Sequence, residues 1–198
     1  WCGDDPVIAA LALAIWLVLV FARHGFWLAR ERDTRDLPPE PAHWPAVAAV
    51  VPARDEAEVI AEAIGSLIAQ DYPGSFRVIL VDDSSSDGTG DIARGLGAAR
   101  LEVLASLPLS VGWTGKLWAV RQGVERAGNA PTYLWLTDAD IAHAPDTLRT
   151  LVARAEAGDL ALVSLMAKLR CETLAERMLI PAFVFFFQML YPFGLVNR

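Results

Sequence analysis

Short apolar runs alternate with amphipathic stretches through the middle of the chain, from residue 46 to residue 165. Runs rich in β-branched residues predict buried strands, and stretches with apolar residues three and four positions apart predict helices. Strands and helices in alternation are typical of an α/β fold, with a mainly parallel sheet covered by helices on both faces. The predicted strands are residues 47–51, 76–81, 101–104, 132–137 and 160–165, and the predicted helices are 56–70, 91–96, 116–127 and 145–157.

An uninterrupted apolar segment, residues 7–22, lies before this alternating region. As a helix it would be roughly 24 Å long, and the flanking Arg23 and Trp27 are residue types that reach the lipid-water interface. We therefore expect a single transmembrane helix within residues 1–30, with a signal peptide and a buried core helix as the alternatives. Two aspartates stand where a signal peptide would carry basic residues, which argues against that alternative.

Basic residues follow the N-terminal apolar segment, and none precedes it. The positive-inside rule then places the rest of the chain in the cytoplasm. Four prolines between residues 36 and 45 predict a stiff, extended linker, which we assign to residues 31–46. The basic residues are Arg23, Arg30, Arg32 and Arg35.

A second apolar segment, residues 179–196, has Gln188 as its only strongly polar side chain. Pro181 and Pro192 interrupt it, so we do not expect a clean spanning helix. Two interpretations stay open: an interfacial or re-entrant helix at the membrane, or a helix that packs on a part of the protein outside this sequence. We assign residues 169–198 to a helical, membrane-facing segment of an incomplete C-terminal part.

The overall composition agrees with membrane-associated ends and narrows the range of partners. Hydrophobic residues make up 54% of the chain, above the roughly 45–50% of soluble domains. The formal net charge of −7 argues against a nucleic-acid partner, and a phosphate-bearing ligand would need a metal ion or local backbone N–H groups. Cys2 and Cys171 lie far apart, which indicates neither a disulfide framework nor a zinc site.

Acidic side chains follow three of the predicted strands. The segment PARDE comes after the first strand, DDSSSDG after the second and DAD after the fourth. Ligands of parallel α/β sheets bind beyond the carboxyl ends of the strands, so these loops form the candidate site. Helix capping would explain one such loop, but paired aspartates beside two buried strands cost energy unless they share a cation.

Three familiar kinds of site do not fit these loops. A calcium-binding EF-hand loop counted from Asp83 would place Arg94 where a bidentate glutamate is needed. The segment SDGT resembles the tail of the haloacid-dehalogenase-like phosphatase motif, but Ser85 occupies the place of the nucleophilic aspartate. A dinucleotide site needs G-x-G-x-x-G after the first strand, where this chain has PARDEAE, and no G-x-x-x-x-G-K-[ST] phosphate loop occurs.

Four segments occur in the order typical of family 2 glycosyltransferases: VVPARDEAEVIAEAIGSLIAQDYP, VILVDDSSSDGT, GWTGKLWAVRQG and YLWLTDADI. The chain resembles this family, which has the GT-A fold, from about residue 47 to residue 165, and we assign a GT-A domain to residues 47–168. With its N-terminal apolar segment and the stretch MAKLRCETLAERMLIPAFVFFFQMLYPF, it is most similar to the bacterial hopanoid-biosynthesis-associated membrane glycosyltransferases. The resemblance implies a membrane-anchored enzyme at the bacterial inner membrane. It would move a sugar from a nucleotide-diphosphate donor, a UDP-sugar, to a hopanoid-related lipid by inverting displacement.

The resemblance also implies roles for particular residues. The loop after the first strand would line the nucleotide pocket. The aspartates after the second strand would accept hydrogen bonds from the base and ribose, as ionised carboxylates do. A lysine at the start of a helix would either face the diphosphate or be an ordinary solvated side chain. In chain order these residues are Pro52, Arg54, Glu56, Asp82, Asp83 and Lys116.

Asp138 and Asp140 form the Asp-x-Asp motif of the resembled family. Residues two apart on an extended backbone point the same way, so both carboxylates can face one cation. The implied cofactor is Mg²⁺ or Mn²⁺, held next to the donor's diphosphate, and Asp138 would also contact the donor. For His143, a position as an ordinary loop residue is favoured over a role as a metal ligand. Asp87 is expected to act in a turn or cap.

The family's general base lies in a later acidic motif, often followed by Gln-x-x-Arg-Trp. No tryptophan in this chain follows an arginine, so we expect the base beyond Arg198 and little sugar transfer by these residues alone. The alternative function is a catalytically silent nucleotide-binding or scaffold protein that keeps the GT-A core. A nucleotidyltransferase of related fold is a weaker alternative, because PARDEAE lacks the glycines its first loop needs.

Overall fold

The computed structural model describes residues 6–30 and 37–196. These residues belong to two compact units. Residues 38–164 form the first, which we call the α/β unit, and the second consists of the described residues before 38 and after 164. Arg32 and Arg35, used in the sequence argument for orientation, lie outside the described residues.

The α/β unit is built on a four-stranded, fully parallel sheet in the order β3-β2-β1-β4. In register, Val47 pairs with Phe76 on one side and with Tyr133 on the other. The carboxyl ends of all strands therefore meet at one edge, as the sequence predicted. The strands are β1 Val47–Ala53, β2 Phe76–Asp82, β3 Leu101–Ala105 and β4 Tyr133–Leu136.

Helices cover both faces of this sheet, which explains why residues 47–51 and 78–81 of its central strands are apolar and buried. Ala49 and Val51 of β1 point to the face covered by the helix Ile60–Ile68, and Ala48 points to the face covered by the helix Gly115–Ala127. Alternate side chains of β1 therefore contribute to two hydrophobic cores, one on each face of the sheet. The helices are α2 Ile60–Ile68, α3 Thr89–Gly95, α4 Gly115–Ala127 and α5 Thr147–Gly158, after α1 in the second unit.

The predicted fifth strand, residues 160–165, is wrong. These residues form no strand in the structure, and the Leu162 side chain is 83% exposed. A strand needs a neighbouring edge to satisfy its backbone N–H and C=O groups. Within the described residues, the sheet ends at β4, and the apolar run lies outside it.

Residues 38–46 of the predicted stiff, extended linker belong to the α/β unit. Trp44 packs edge-to-face on Tyr72 with ring centroids 5.4 Å apart. Arg149 of α5 lies over the Trp44 ring and forms an ion pair with Glu40. These contacts attach the proline-rich segment to the domain.

The second unit pairs the two apolar ends of the chain. The N-terminal helix α1, Pro6–Leu17, continues as a π-helical turn to Ala22. The Arg23 guanidinium donates hydrogen bonds to the backbone oxygens of Met189 and Leu190 at 2.6 and 3.2 Å. Phe26 packs edge-to-face on Phe185, with centroids 5.1 Å apart. The C-terminal helices are α6 Leu174–Leu190 and α7 Phe193–Val196.

The candidate membrane span lies at the C-terminus, not at the N-terminus as predicted. The N-terminal helical run ends at Ala22 and has 17 residues, about 25 Å. By length and composition alone, the segment Leu174–Val196, with 23 residues or about 35 Å, can cross a membrane. Pro181, which the sequence analysis expects to interrupt the helix, lies inside α6. The helix begins with a capping box formed by Thr173 and Glu176.

Candidate functional site

A cavity of about 360 Å³ lies beyond the carboxyl ends of β1, β2 and β4. It collects every site residue predicted from the sequence except Asp82. Asp83 and Asp140, which follow different strands, therefore share one cavity as the sequence argument requires. Its lining consists of Pro52, Ala53, Arg54, Glu56, Asp83, Gly115, Lys116, Asp138, Ala139 and Asp140.

Asp83 is a largely enclosed charge of this site, with a side chain that is 15% exposed. Its Oδ2 atom lies 3.6 Å from Nη1 of Arg54, which follows β1. The same oxygen would lie 2.6 Å from a Cβ atom on Gly115, at the start of α4. The carboxylate therefore lies against the positive end of a helix dipole and beside a guanidinium, and both stabilise its negative charge.

Lys116 and Asp138 form an ion pair within the cavity lining, with Nζ 2.7 Å from Oδ1. Both side chains are at least half exposed, so the pair contributes little to folding, about 0–1 kcal/mol. An ion pair this weak can exchange partners with a charged ligand. Lys116 thus lines the cavity while its side chain stays largely exposed to solvent.

The two aspartates of the Asp-x-Asp motif flank Ala139, which is buried in the core of the sheet. Both side chains therefore face outward, and both line the cavity. Within the described residues, no group of three or more His, Cys, Asp or Glu side chains is arranged to hold a metal ion. Mg²⁺ and Mn²⁺ prefer oxygen ligands, and Mg²⁺ is often held by one or two carboxylates completed by water and substrate phosphates. Asp138 and Asp140 fit a cation that binds together with a diphosphate.

Asp82 has a different position from Asp83. One carboxylate oxygen accepts a hydrogen bond from the backbone N–H of Ser85 at 3.0 Å. The other is so close to Gly90 in α3 that a Cβ atom there would overlap it. Adjacent residues of an extended strand point to opposite sides, so only one of the two aspartates enters the cavity.

His143 lies away from the cavity lining and contacts the core. Its Nε2 atom is 3.0 Å from Oγ1 of Thr137, and its ring packs on Trp135 with centroids 4.6 Å apart. Burial lowers the pKa of His143. These contacts support the structural role that the sequence favoured over metal binding.

A hydrogen-bonded network that the sequence did not reveal joins the loops after β1 and β2. The Asp55 carboxylate accepts from the backbone N–H of Ser86 at 2.8 Å, and the Asp55 N–H donates to Oγ of Ser85 at 3.0 Å. Asp55 and Ser84 both adopt positive φ angles, 54° and 59°. Such backbone strain persists only where surrounding contacts hold it, and it is common at functional sites.

Asp87 and Thr89 extend this network to the backbone of Glu56 and Ala57. The Glu56 N–H donates to the Thr89 hydroxyl at 2.8 Å, and the Ala57 N–H donates to Asp87 at 2.9 Å. The hydrogen bond from the Thr89 side chain, followed by that from Ala57, lowers the pKa of Asp87. Asp87 thus makes turn hydrogen bonds, and it holds the loop that carries Arg54 and Glu56.

Comparisons with known proteins agree with this arrangement. The family model described as glycosyl transferase family 2 matches residues 48–195. A 4,4'-diaponeurosporenoate glycosyltransferase of Staphylococcus aureus is 32% identical over 108 residues, which are 54% of this chain and 27% of that protein. The glycosyltransferase AglE of Haloferax volcanii is 40% identical over 63 residues, 30% of this chain and 21% of that protein. The chain thus spans only about a quarter of the curated relatives it matches.

A solved structure shares the fold more extensively. It is a mannosyltransferase from Pyrobaculum calidifontis in complex with GDP-Man and Mn²⁺, with a TM-score of 0.54 and 27% sequence identity. The match covers 74% of this chain and 43% of that one. The fold of this chain is therefore similar to that of a solved mannosyltransferase.

Proposed function

The chain belongs to glycosyl transferase family 2, and on that basis we propose that it moves a sugar from a nucleotide-diphosphate donor to an acceptor. The cavity at the carboxyl edge of the sheet is the proposed donor site. The observation that carries this proposal is the convergence of Asp83, Lys116 and the Asp-x-Asp motif on one cavity. Neither a structural core nor a helix cap requires those charges to meet.

The charges of the cavity suit the parts of a nucleotide sugar. Asp83 is held from two sides and is an acceptor only, so it fits the hydroxyl or N–H donors of a ribose and base. Arg54 and Lys116 are exposed cations that can approach the diphosphate. UDP-sugars are the first donors to test, and GDP-mannose is the second because the related mannosyltransferase was solved with GDP-Man.

Asp138 and Asp140 are the proposed ligands of a divalent cation, Mg²⁺ or Mn²⁺. When bound, such a cation neutralises the charge that develops on the leaving diphosphate. The chain's own part is to orient the donor, with Asp83 on the nucleoside and Lys116 free to leave Asp138 for a phosphate oxygen. We propose that a carboxylate outside residues 1–198 takes the acceptor's proton, because the expected later motif does not occur in this sequence.

The proposed acceptor is a lipid, and the proposed location is the cytoplasmic face of the bacterial inner membrane. The support is the segment Leu174–Val196, which is long and apolar enough to span a bilayer. Lys168 and Arg170 directly precede this segment in the sequence, as the positive-inside rule expects of a cytoplasmic flank. A hopanoid-related acceptor is the class that the sequence resemblance suggests.

Titration of the full chain, in detergent or nanodiscs, with UDP-, GDP- and dTDP-sugars tests the donor site. Binding should depend on Mn²⁺ and should weaken at least about tenfold in Asp140→Asn, because one charge-assisted ligand is lost. Asp91→Asn is the matched control, since Asp91 pairs with Arg94 at the surface outside the cavity lining. If donor affinity changes neither on removal of Mn²⁺ nor in Asp140→Asn, the metal assignment is wrong.

A transfer assay with the same samples separates the two functional candidates. A transferase portion that lacks its base should bind donor and transfer sugar only when the missing part is supplied, whereas a silent scaffold should stay inactive in the complete protein. Robust transfer by residues 1–198 alone would contradict the proposed position of the base.

A further inference from the structure

The connection from β3 to α4 exposes apolar side chains that the donor site does not use. Val111 is fully exposed, and the leucines around it are 58–64% exposed. Five such side chains occur within eleven residues, whereas apolar residues on soluble surfaces are usually scattered singly. We call them the 107–117 surface, which consists of Leu107, Leu109, Val111, Trp113 and Leu117.

Hydrogen bonds hold the start of this connection against α4. The Leu107 N–H donates to the Gln122 side-chain oxygen at 2.7 Å, and the Trp118 indole N–H donates to the Leu107 carbonyl at 3.1 Å. Gln122 in turn donates to the Ser106 hydroxyl at 2.9 Å. The apolar side chains are therefore presented to solvent by a loop that is tied to the domain.

Aromatic and cationic groups border the exposed apolar side chains. The rings of Trp113 and Trp118 lie 5.6 Å apart, and the Arg121 guanidinium lies 5.0 Å from the first and 5.6 Å from the second. Arg121 also pairs with Glu125 one helical turn later. Tryptophan and arginine are the residues that proteins place at the level of lipid headgroups.

The charges near this surface do not oppose an anionic bilayer. Residues 103–124 contain no Asp or Glu, and their only charged side chains are Lys116 and Arg121. The chain as a whole has a formal net charge of −7. Each of these two cations has an acidic partner, Asp138 for Lys116 and Glu125 for Arg121, so the stretch adds no net negative charge that would repel anionic headgroups.

We propose that the 107–117 surface contacts a lipid bilayer, with its apolar side chains in the interfacial layer and Arg121 among the headgroups. This proposal depends on the membrane attachment in the proposed function, but it does not depend on sugar transfer. The loop leads directly into Gly115 and Lys116, which line the donor cavity. Contact with the bilayer would therefore bring the cavity to the depth at which a lipid acceptor presents its hydroxyl group.

Site-specific fluorescence in the full chain tests this contact. Cys2 and Cys171 are replaced by serine, and a cysteine is introduced by Val111→Cys and labelled with the polarity-sensitive dye NBD. Reconstitution into vesicles of phosphatidylcholine and phosphatidylglycerol should shift the emission to the blue, and doxyl-labelled lipids should quench it. The matched control is Glu62→Cys, an exposed position on α2, which covers the opposite face of the sheet from α4.

Two outcomes would overturn the proposal. If the dye at position 111 behaves like the dye at position 62, the surface faces water. If it shifts to the blue without quenching by doxyl lipids, a protein segment or a second copy covers it instead. A second probe, at Ser110→Cys, should lose quenching when Leu109→Ser and Val111→Ser are combined.

Donor titration of the same variants keeps this proposal separate from the proposed function. Leu109→Ser with Val111→Ser should leave nucleotide-sugar binding unchanged, because neither residue lines the cavity. Failure of donor binding in the unmodified chain would refute the donor site and leave the quenching result standing. Absence of quenching with normal donor binding would refute the membrane contact alone.

Discussion

Lys116 and Asp138 join the first turn of α4 to the loop after β4 through a 2.7 Å ion pair in the lining of the donor cavity. Asp138 is also one of the two proposed cation ligands, so the lysine occupies a carboxylate that the bound cation would need. Donor and cation together would satisfy both partners of the pair. We propose that this ion pair holds both side chains at the cavity until donor and cation bind.

Replacing Lys116 should weaken diphosphate binding selectively. We expect Lys116→Met to lower affinity for a nucleotide sugar about tenfold or more, the usual effect of losing one charge-assisted hydrogen bond. Binding of the nucleoside alone should not change, because Asp83 and not Lys116 is assigned to it. Calorimetric titration with both ligands measures the difference.

The chain supplies a matched control, because Lys168 is its only other lysine and lies in the second unit. Lys168→Met should leave both titrations unchanged. Equal loss of nucleoside and nucleotide-sugar binding in Lys116→Met would indicate a disturbed domain instead of a lost phosphate contact.

Gly115 keeps room for Asp83. A Cβ atom on Gly115 would lie 2.6 Å from Oδ2 of Asp83, closer than real contacts allow. Gly115→Ala should therefore push the carboxylate out of position and weaken donor binding about as much as Asp83→Asn. The free energy of unfolding should change little, because an alanine also favours the first turn of a helix. Unchanged donor binding in Gly115→Ala would show that Asp83 can move without cost to the site.

The sequence predicted the sheet well where burial alone decides the structure. The first two strands contain apolar runs buried on both faces, residues 47–51 and 78–81, and such runs are hard to place anywhere but a central sheet. The run at 160–165 has the same character, but a strand also needs a partner, and pairing is not visible in one segment. The helix predicted from residue 56 begins at Ile60, because Asp87 and Thr89 bind the N–H groups before it.

The candidate site shows the same division between local pattern and tertiary contact. The period of two along extended backbone correctly placed Asp138 and Asp140 on one cavity, and the same rule should have separated Asp82 from Asp83. Gly115 was missed because its role depends on a close approach between residues far apart in the chain. Pro181 was expected to interrupt the C-terminal apolar helix, but α6 continues through it. Proline in an apolar helix is tolerated where neighbouring groups satisfy the backbone.

Two helical glycines should respond in opposite ways to alanine. Gly123 of α4 faces the sheet, and a Cβ atom there would overlap a methyl group of the buried Val50. Gly123→Ala should lower the free energy of unfolding by about 1–3 kcal/mol, the range for overpacked cores. Gly65 of α2 has nothing within 4 Å of its Cβ position. Gly65→Ala should raise stability by about 0.5–1 kcal/mol.

Urea unfolding followed by tryptophan fluorescence compares the two alanine variants. They share the same chemical change and the same helical setting, so any difference reports the packing against the sheet. Equal effects of the two substitutions would mean that α4 shifts outward freely. Donor binding would then be the more sensitive measure, since α4 carries Gly115 and Lys116 into the cavity.

Protonation of His143 should destabilise the α/β unit below neutral pH. Burial lowers its pKa in the folded state, while in the unfolded chain the imidazole titrates near its ordinary value of about 6.5. Above that pH the imidazole is neutral in both the folded and the unfolded state, so His143 adds no pH dependence to the free energy of unfolding. As the pH falls below about 6.5, the unfolded state binds more protons than the folded state, so the free energy of unfolding decreases.

His143→Gln should remove this component and flatten the stability profile between about pH 6.5 and pH 5. The difference between the two proteins at pH 8 reports packing on Trp135 and the contact with Thr137 alone, and it serves as the internal control. The chain has three histidines, so the NMR signal that disappears in the variant identifies His143, and its titration should occur below the ordinary value. Parallel stability profiles from pH 8 to pH 5 would mean that the folded protein accepts the proton at this position as readily as the unfolded chain.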